Sequence, residues 1–600
     1  MAHEIEDAST TEGLPVAPSL GPTLARSDLA SRTALVGRRD LVVAALAVAL
    51  ALAAGGVAQL LTRMIGLVTN LAFYGRLSTA FVSPADHQLG AWVVLVPVAG
   101  GLVVGIMARY GSAAIRGHGI PEAMEQVLTN ASRIPARMTF LKPLSAAIAI
   151  GTGGPFGAEG PIIATGGALG SLIGQVLPAS PAERKTLLAA GAAAGMAATF
   201  GSPISAVLLA IELLLFEYRP RSLVPVALAA TTATAVRLAI VGSAPAFAMS
   251  DVPAPGSAAL ALYVLVGALV GAASVAITRL VYAIEDAFGR LPLHWMWWPA
   301  LGGVAVGVVG LLAPRTMGVG YDNIDRIVSG ELVGRACFVL CALKLVSWSL
   351  ALGSGTSGGT LAPLFTIGGG IGSLLGSGAA LMAPTAGVDV RIAALVGMAA
   401  MFAGASRAPL ASVVFAFETT RQFAGLLPLL GGGTAGFLVS CLGMPTSIMT
   451  EKIERRGVRV VGEYTADFLT QVAVRDVALR PVVTLRADTT VGTVRAWLAS
   501  RAAGSDHHGF PVLDARGDLV GVVTRRDVYE TTADGMRLGE IVRPDVAVIY
   551  DDCSLRDAAD RMATRRIGRL PVVRRERPTM VVGIVTRSDL VDAHARRLAS

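Results

Sequence analysis

The sequence predicts an all-α polytopic membrane body, built as a duplicated unit of tilted and half-length helices and followed by a smaller water-soluble α/β tail. Three observations carry that expectation. Charge is unevenly placed: Glu451–Ser600 holds 25 Lys/Arg and 21 Asp/Glu, so 46 of the 92 formal charges lie in the last quarter of the chain. Uncharged stretches such as Leu41–Leu61 and Ala258–Thr278 are long enough to cross roughly 30 Å of hydrocarbon as helices. Finally, the apolar body repeats itself. PIIATGGALGSLIG (161–174) and PLFTIGGGIGSLLG (363–376) are identical at seven of fourteen positions, and Gly191–Glu212 matches Gly397–Glu418, each ending nine residues after a proline, Pro203 or Pro409. Biased Gly/Ala content produces one such match by chance, but two in the same order, offset by 202 and 206 residues, indicate a duplication.

In chain order, residues 1–37 are polar and rich in Ala, Ser, Thr and Pro, and they lack the early apolar core of a signal peptide. They read as a disordered cytoplasmic leader, and Arg26, Arg32, Arg38 and Arg39 ahead of the first span follow the positive-inside bias. The body runs over 38–456, with halves at about 38–240 and 258–456. Its shorter apolar runs, Ala91–Met107, Thr139–Ile150 and Leu361–Leu375, are broken by Gly or Pro. Such segments persist at membrane depth only when packed on protein or lining a cavity. The net charge of +8 requires no nucleic-acid partner, because cytoplasmic charge facing a membrane accounts for it. Cys337, Cys341, Cys441 and Cys553 frame neither a disulfide set nor a metal site and read as packing thiols. The expected location is the cell membrane, multi-pass, with both termini cytoplasmic.

Within this body one carboxylate stands out. Glu159 lies in GGPFGAEGP, where an unaccommodated charge costs several kcal/mol, so its default reading is functional. Duplicated halves with Gly/Pro-interrupted segments in corresponding places point to a transporter-like architecture, with the substrate site at the repeat interface and built from broken helices. Pro161 and Pro363 each suit the first helical position, placing helix N-termini at Gly160–Pro161 and Ala362–Pro363. A third candidate is GHGIPEAM (117–124), where Pro121 opens a short helix. Unpaired amides and the positive end of the helix dipole attract anions. The residues alone therefore point to intramembrane anion binding.

GHGIPEA, GAEGP with its Gly-rich sequel, and GGTLAP (358–363) resemble, in order and spacing, the signatures of the CLC family of chloride channels and proton-coupled chloride transporters. The resemblance extends from about Leu41 to Arg456. It implies a CLC-type inverted repeat, a homodimer with one pore per subunit, and chloride or a related anion as cargo. It also implies that Glu159 is the gate, a tethered anion that leaves its site when protonated or displaced. His118, Gly119, Ile120, Gly160, Thr360, Leu361 and Met449 fall at the anion-binding positions. The position matching Glu159 in the second half is Leu361, so one half alone carries the titratable group.

Three residues depart from the family pattern. His118 stands where a serine hydroxyl is usual, and it either donates an N–H to the anion or caps a vestibule. Met449 aligns with the family's central tyrosine, which leaves gate and selectivity open. Glu212 matches a structural glutamate, while its neighbour, often a proton-accepting glutamate in exchangers, is Leu213. Proton-coupled antiport is the expected activity, with a voltage- or pH-gated channel as the alternative.

In the tail, FPVLDARGDLVGVVTRRDV (510–528) is echoed by LPVVRRERPTMVVGIVTRSDL (570–590). Over 457–600 this resembles a CBS pair, with modules at about 475–532 and 538–597. The resemblance implies adenine nucleotide (ATP, ADP or AMP) at Thr524, Asp527, Thr586 and Asp589; the alternative is a ligand-free dimerisation module. Arg565–Arg577 reads as a solvated or headgroup-facing surface that could also assist phosphates. No cofactor and no metal is required. Rival classes are a membrane-anchored CBS nucleotide sensor and a CBS-bearing divalent-cation carrier. The carrier needs converging carboxylates, of which the body offers few. An enzyme lacks a nucleophile–base pair, and none of the seven His forms a metal-binding pair in the body.

Overall fold

The computed structural model describes residues 38–458, 460, 469, 472–478, 482–542 and 546–599. The expected leader lies outside the described residues. The chain divides into two compact units, Met1–Glu463 and Tyr464–Ser600.

The first unit is helical, and eight of its described helices are long and apolar enough to cross a membrane. Others are short: Ile120–Thr129, Pro203–Ala210 and Tyr321–Val328 have ten, eight and eight residues. At 1.5 Å per residue they reach about half the hydrocarbon thickness or less. Of the segments expected to be short, Met138–Gly151 has fourteen residues, but Gly90–Tyr110 and Leu361–Met382 have 21 and 22 and are long enough to span, because their glycines are accommodated within continuous helix.

The duplication extends well beyond the two segments legible in sequence. Arg38–Tyr74 is matched by Ser257–Gly289, Ile120–Thr129 by Tyr321–Val328 and Met138–Gly151 by Gly334–Gly353. Glu159–Val176 is matched by Leu361–Met382, Pro181–Phe200 by Val390–Ser406, and Pro203–Ala210 by Pro409–Thr420. Packing follows the same plan, with Glu159–Val176 lying on Pro181–Phe200 and Leu361–Met382 on Val390–Ser406. Gly166 and Gly191 stand so close across the first of these pairs that a Cβ on either would overlap the other's carbonyl, and Gly368 and Gly397 repeat the arrangement. Small residues are what allow apolar helices to approach backbone to backbone where lipid supplies no hydrophobic drive.

The halves are also laced together. Glu212 accepts hydrogen bonds from the Leu410 and Ala411 amides (3.1 and 3.0 Å), and Glu418 accepts from the Ile204 and Ser205 amides (3.0 and 2.8 Å). Each carboxylate caps the N-terminus of the other half's short helix, satisfying donors that have no intrahelical partner. Buried Lys142 donates to the Ile115 and Gly117 carbonyls, both at 2.8 Å. Its counterpart Lys344 donates to the Thr316 and Gly318 carbonyls at 3.0 and 3.1 Å.

The second unit holds two three-stranded sheets. Leu485–Arg486 runs parallel to Gly509–Leu513, which pairs antiparallel with Leu519–Thr524. Ile549–Tyr550, Arg569–Arg574 and Arg577–Thr586 repeat that order. Within the pair, the leading helix of each module packs against the core of the other. Val474–Ala478 buries Val474 and Ala478 in the second core with Leu555 and Leu570, and the Val474 amide donates to the Cys553 carbonyl at 2.8 Å. Conversely, Leu538 of the Leu538–Ile541 helix fills the first core beside Phe510. Each sheet leaves an apolar groove that the helix preceding the other module covers.

Candidate functional site

Three loops meet in the core of the first unit. Gly157 and Gly359 exchange both backbone hydrogen bonds, at 3.1 and 2.9 Å. Gly117 donates to the Thr356 carbonyl (3.3 Å) and accepts from the Gly358 amide (3.4 Å). The helices leaving these loops are Ile120–Thr129, Glu159–Val176 and Leu361–Met382. Their first intrahelical bonds come from Ala123, Ile162 and Leu364, so the amides of Gly160 and Leu361 precede the helical ladder. Gly119 has φ +95°, a conformation closed to most side chains, and its amide is held at 2.7 Å by Glu122.

Glu159 is fully buried at the first position of its helix. Its Oε1 accepts a hydrogen bond of 2.8 Å from the Tyr321 hydroxyl, and Oε2 has no partner. Glycines make room for that oxygen: a Cβ on Gly157 would overlap it, and one on Gly359 would stand 3.1 Å away. His118, Gly119, Ile120, Glu159, Gly160, Thr360 and Leu361 lie in these loops and helix starts and are all buried; a Cβ on Gly160 would overlap the His118 carbonyl and stand 2.9 Å from the Gly359 Cα. His118 Nδ1 and Thr360 Oγ1 are likewise buried without partners. The junction thus gathers unpaired polar atoms and amides outside the helical ladders in an otherwise apolar core.

Met449 is buried, and its neighbour Ile448 lies beside His118. The Ile448 carbonyl accepts from the Tyr282 hydroxyl at 2.8 Å. Leu213 is buried in a π-turn with Leu214 and Leu215.

Two tyrosines, Tyr282 and Tyr321, escaped the sequence reading. Tyr321 was findable only through the repeat: the helices opening at Ile120 and Tyr321 correspond, each following a positive-φ glycine, Gly119 or Gly320.

In the second unit, Thr524 Oγ1 donates to Asp527 (2.6 Å) and Thr586 Oγ1 to Asp589 (2.7 Å). The amide of each threonine also donates to the same carboxylate, at 2.8 and 2.7 Å. These are local bonds at helix starts of the capping-box kind, and they give the Thr-Arg-x-Asp pattern a structural role in its own right. In the Arg-rich stretch, Arg575 pairs with Asp552 at 2.5 Å and lies over the Tyr550 ring at 4.5 Å. Burial lowers the Arg569 guanidinium below its ordinary range.

Fold and site together define a polytopic membrane protein with a buried polar junction at the interface of two related halves. The sequence model for the voltage gated chloride channel family matches residues 99–441, and the CBS domain model matches 474–533 and 538–596. This chain belongs to that channel and transporter family, the CLC proteins. It is 32% identical over 369 residues to chloride channel protein CLC-f of Arabidopsis thaliana, a match covering 56% of this chain but only 46% of that one. It is 30% identical over 336 residues to the H(+)/Cl(-) exchange transporter ClcA of Vibrio parahaemolyticus, covering 54% of this chain and 70% of that one. Among solved structures, a slow cyanobacterial Cl-/H+ antiporter aligns with TM-score 0.63 at 22% identity over 70% of this chain and 98% of its own. A eukaryotic CLC transporter aligns with TM-score 0.59 at 21% identity over 92% and 98%. At these identities the structural likeness concerns the fold.

Proposed function

We propose that this protein moves chloride or a related anion across the cell membrane in exchange for protons, with Glu159 as the gate. The observation that carries the reading is a fully buried carboxylate seated among glycines at the meeting point of three helix N-termini, with one oxygen unpaired. A seat that suits a carboxylate suits an anion. Protonation of Glu159 removes the charge that holds it there, so proton arrival and anion entry become coupled. His118, Gly119, Ile120, Gly160, Thr360, Leu361 and Met449 line the pathway, with the Gly160 and Leu361 amides and an imidazole N–H of His118 as donors. The protein acts as a homodimer with both termini in the cytoplasm. Adenine nucleotide at Thr524, Asp527, Thr586 and Asp589 regulates it by binding one pore state better than another.

Leu213 favours a second reading, an anion channel without proton coupling, because apolar packing occupies the place where a proton-accepting glutamate would stand. The reversal potential of reconstituted protein under a pH gradient separates the two. A shift with pH is expected for the exchanger, and its absence leaves the channel. Glu159→Gln removes the pH dependence of anion flux in either case; flux that stays pH-dependent refutes the gating role, and liposomes with no anion flux refute transport.

A further inference from the structure

We infer that Tyr321 is a latch for Glu159, a positioning residue that holds the ionised gate in its seat and thereby sets how much acid opens the pathway. The inference rests on the gating role proposed for Glu159 and adds a partner to it. Tyr321 opens the second half's short helix Tyr321–Val328, while the carboxylate it meets opens a helix of the first half. The contact is a single hydroxyl–carboxylate hydrogen bond of 2.8 Å. Glu159 is fully buried and Tyr321 is partly exposed, and the hydroxyl–carboxylate bond joins the two halves.

The ring is held on several sides. Phe200 packs edge-on at 5.6 Å and Phe247 at 6.2 Å between centroids, and Phe415 braces Phe200 at 4.8 Å. These rings come from both halves and from the segment between them, so the hydroxyl is aimed by the repeat interface and not by its own helix alone. An aromatic ring with two torsions, wedged in this way, delivers its donor at little entropic cost. The charged group acting on Glu159 is Lys344, held by the Thr316 and Gly318 carbonyls; on Tyr321's own helix, Asp322 pairs with Arg315 and Asp325 accepts from the Ala248 amide at 2.9 Å. None of them changes when the hydroxyl is removed.

A neutral donor stabilises the ionised carboxylate more than the protonated one. Removing it therefore lets Glu159 take up its proton at higher pH. The test is Tyr321→Phe in liposomes, with chloride flux measured across pH. The midpoint of acid activation is expected to move upward by about one to two pH units, the equivalent of one hydrogen bond to a charged group, with maximal flux retained. In the Glu159→Gln background the same substitution changes nothing. A Tyr321→Phe midpoint equal to wild type overturns the latch while leaving the gate intact; wild-type flux without pH dependence overturns the gate and the latch with it. If Tyr321→Phe does not reconstitute, Phe247→Leu keeps the hydroxyl but loosens its seat, and an unmoved midpoint there is equally fatal.

Discussion

Glu212 and Glu418 are the sharpest place to separate a structural carboxylate from a proton carrier. Glu212→Leu deletes both bonds to the Leu410 and Ala411 amides, at 3.1 and 3.0 Å, and exposes a helix N-terminus to apolar surroundings. Hydrogen bonds to a charged group contribute about 1.5–3 kcal/mol each. Because Glu212 is partly exposed, the lower end applies, giving a loss of about 3 kcal/mol, or roughly a hundredfold in the folded-to-unfolded ratio. Glu418→Leu has the same geometry with the halves exchanged and should lose a similar amount, while Glu212→Gln, which keeps one acceptor, falls between. The assay is unfolding in mixed micelles followed by circular dichroism, paired with proton flux in liposomes. Both leucine variants should be less stable and, once reconstituted, should still couple protons as wild type does. A Glu212→Leu protein with wild-type stability and no proton flux would show that the carboxylate carries protons and would refute the capping account.

Two further outcomes concern the tail. Val474→Asp places a charge in the second module's core and should cost more than about 3 kcal/mol. In hydrogen exchange, protection should fall over 549–586 before 485–524, and the reverse order would refute the exchanged helices. Thr586→Val removes the hydroxyl bonded to Asp589 and should cost about 1 kcal/mol as a lost cap. On the proposed nucleotide site, ATP should raise the melting temperature of the full-length protein and Thr586→Val should abolish that upshift; an undiminished upshift removes Thr586 from the site.

The segments most legible in sequence are those where backbone geometry constrains composition. Gly-rich stretches around Gly166 and Gly397 are readable because no other residue permits that helix approach. Glu159 is readable because a lone charge in apolar sequence demands a reason. The reach of the duplication was less legible, since helices such as Ile120–Thr129 and Tyr321–Val328 share a fold position and little beyond glycines at their starts. The exchange of Val474–Ala478 and Leu538–Ile541 between modules was not legible at all. An apolar residue in a short amphipathic helix records that it is buried, not against which of two similar cores.

The site's chemistry resides in the differences between the halves. Lys142 and Lys344 preserve the same role, bracing corresponding loops through pairs of carbonyls, and Glu212 and Glu418 preserve theirs in mirror fashion. Such shared contacts keep three helix starts and their glycine loops in register, a requirement common to both halves. At the junction the pairing breaks: Glu159 faces the position of Leu361, Tyr321 that of Ile120, and Glu122, which secures the Gly119 amide, that of Asn323, which donates to the Arg315 carbonyl. A symmetric junction would carry either two titratable gates, repelling one another in a small apolar space, or none. Placing the acid in one half and its hydroxyl donor in the other gives a single charge held across the interface, so any motion that slides the halves apart also lengthens the Tyr321–Glu159 bond and, on the gating role proposed for Glu159, weakens its hold on its seat.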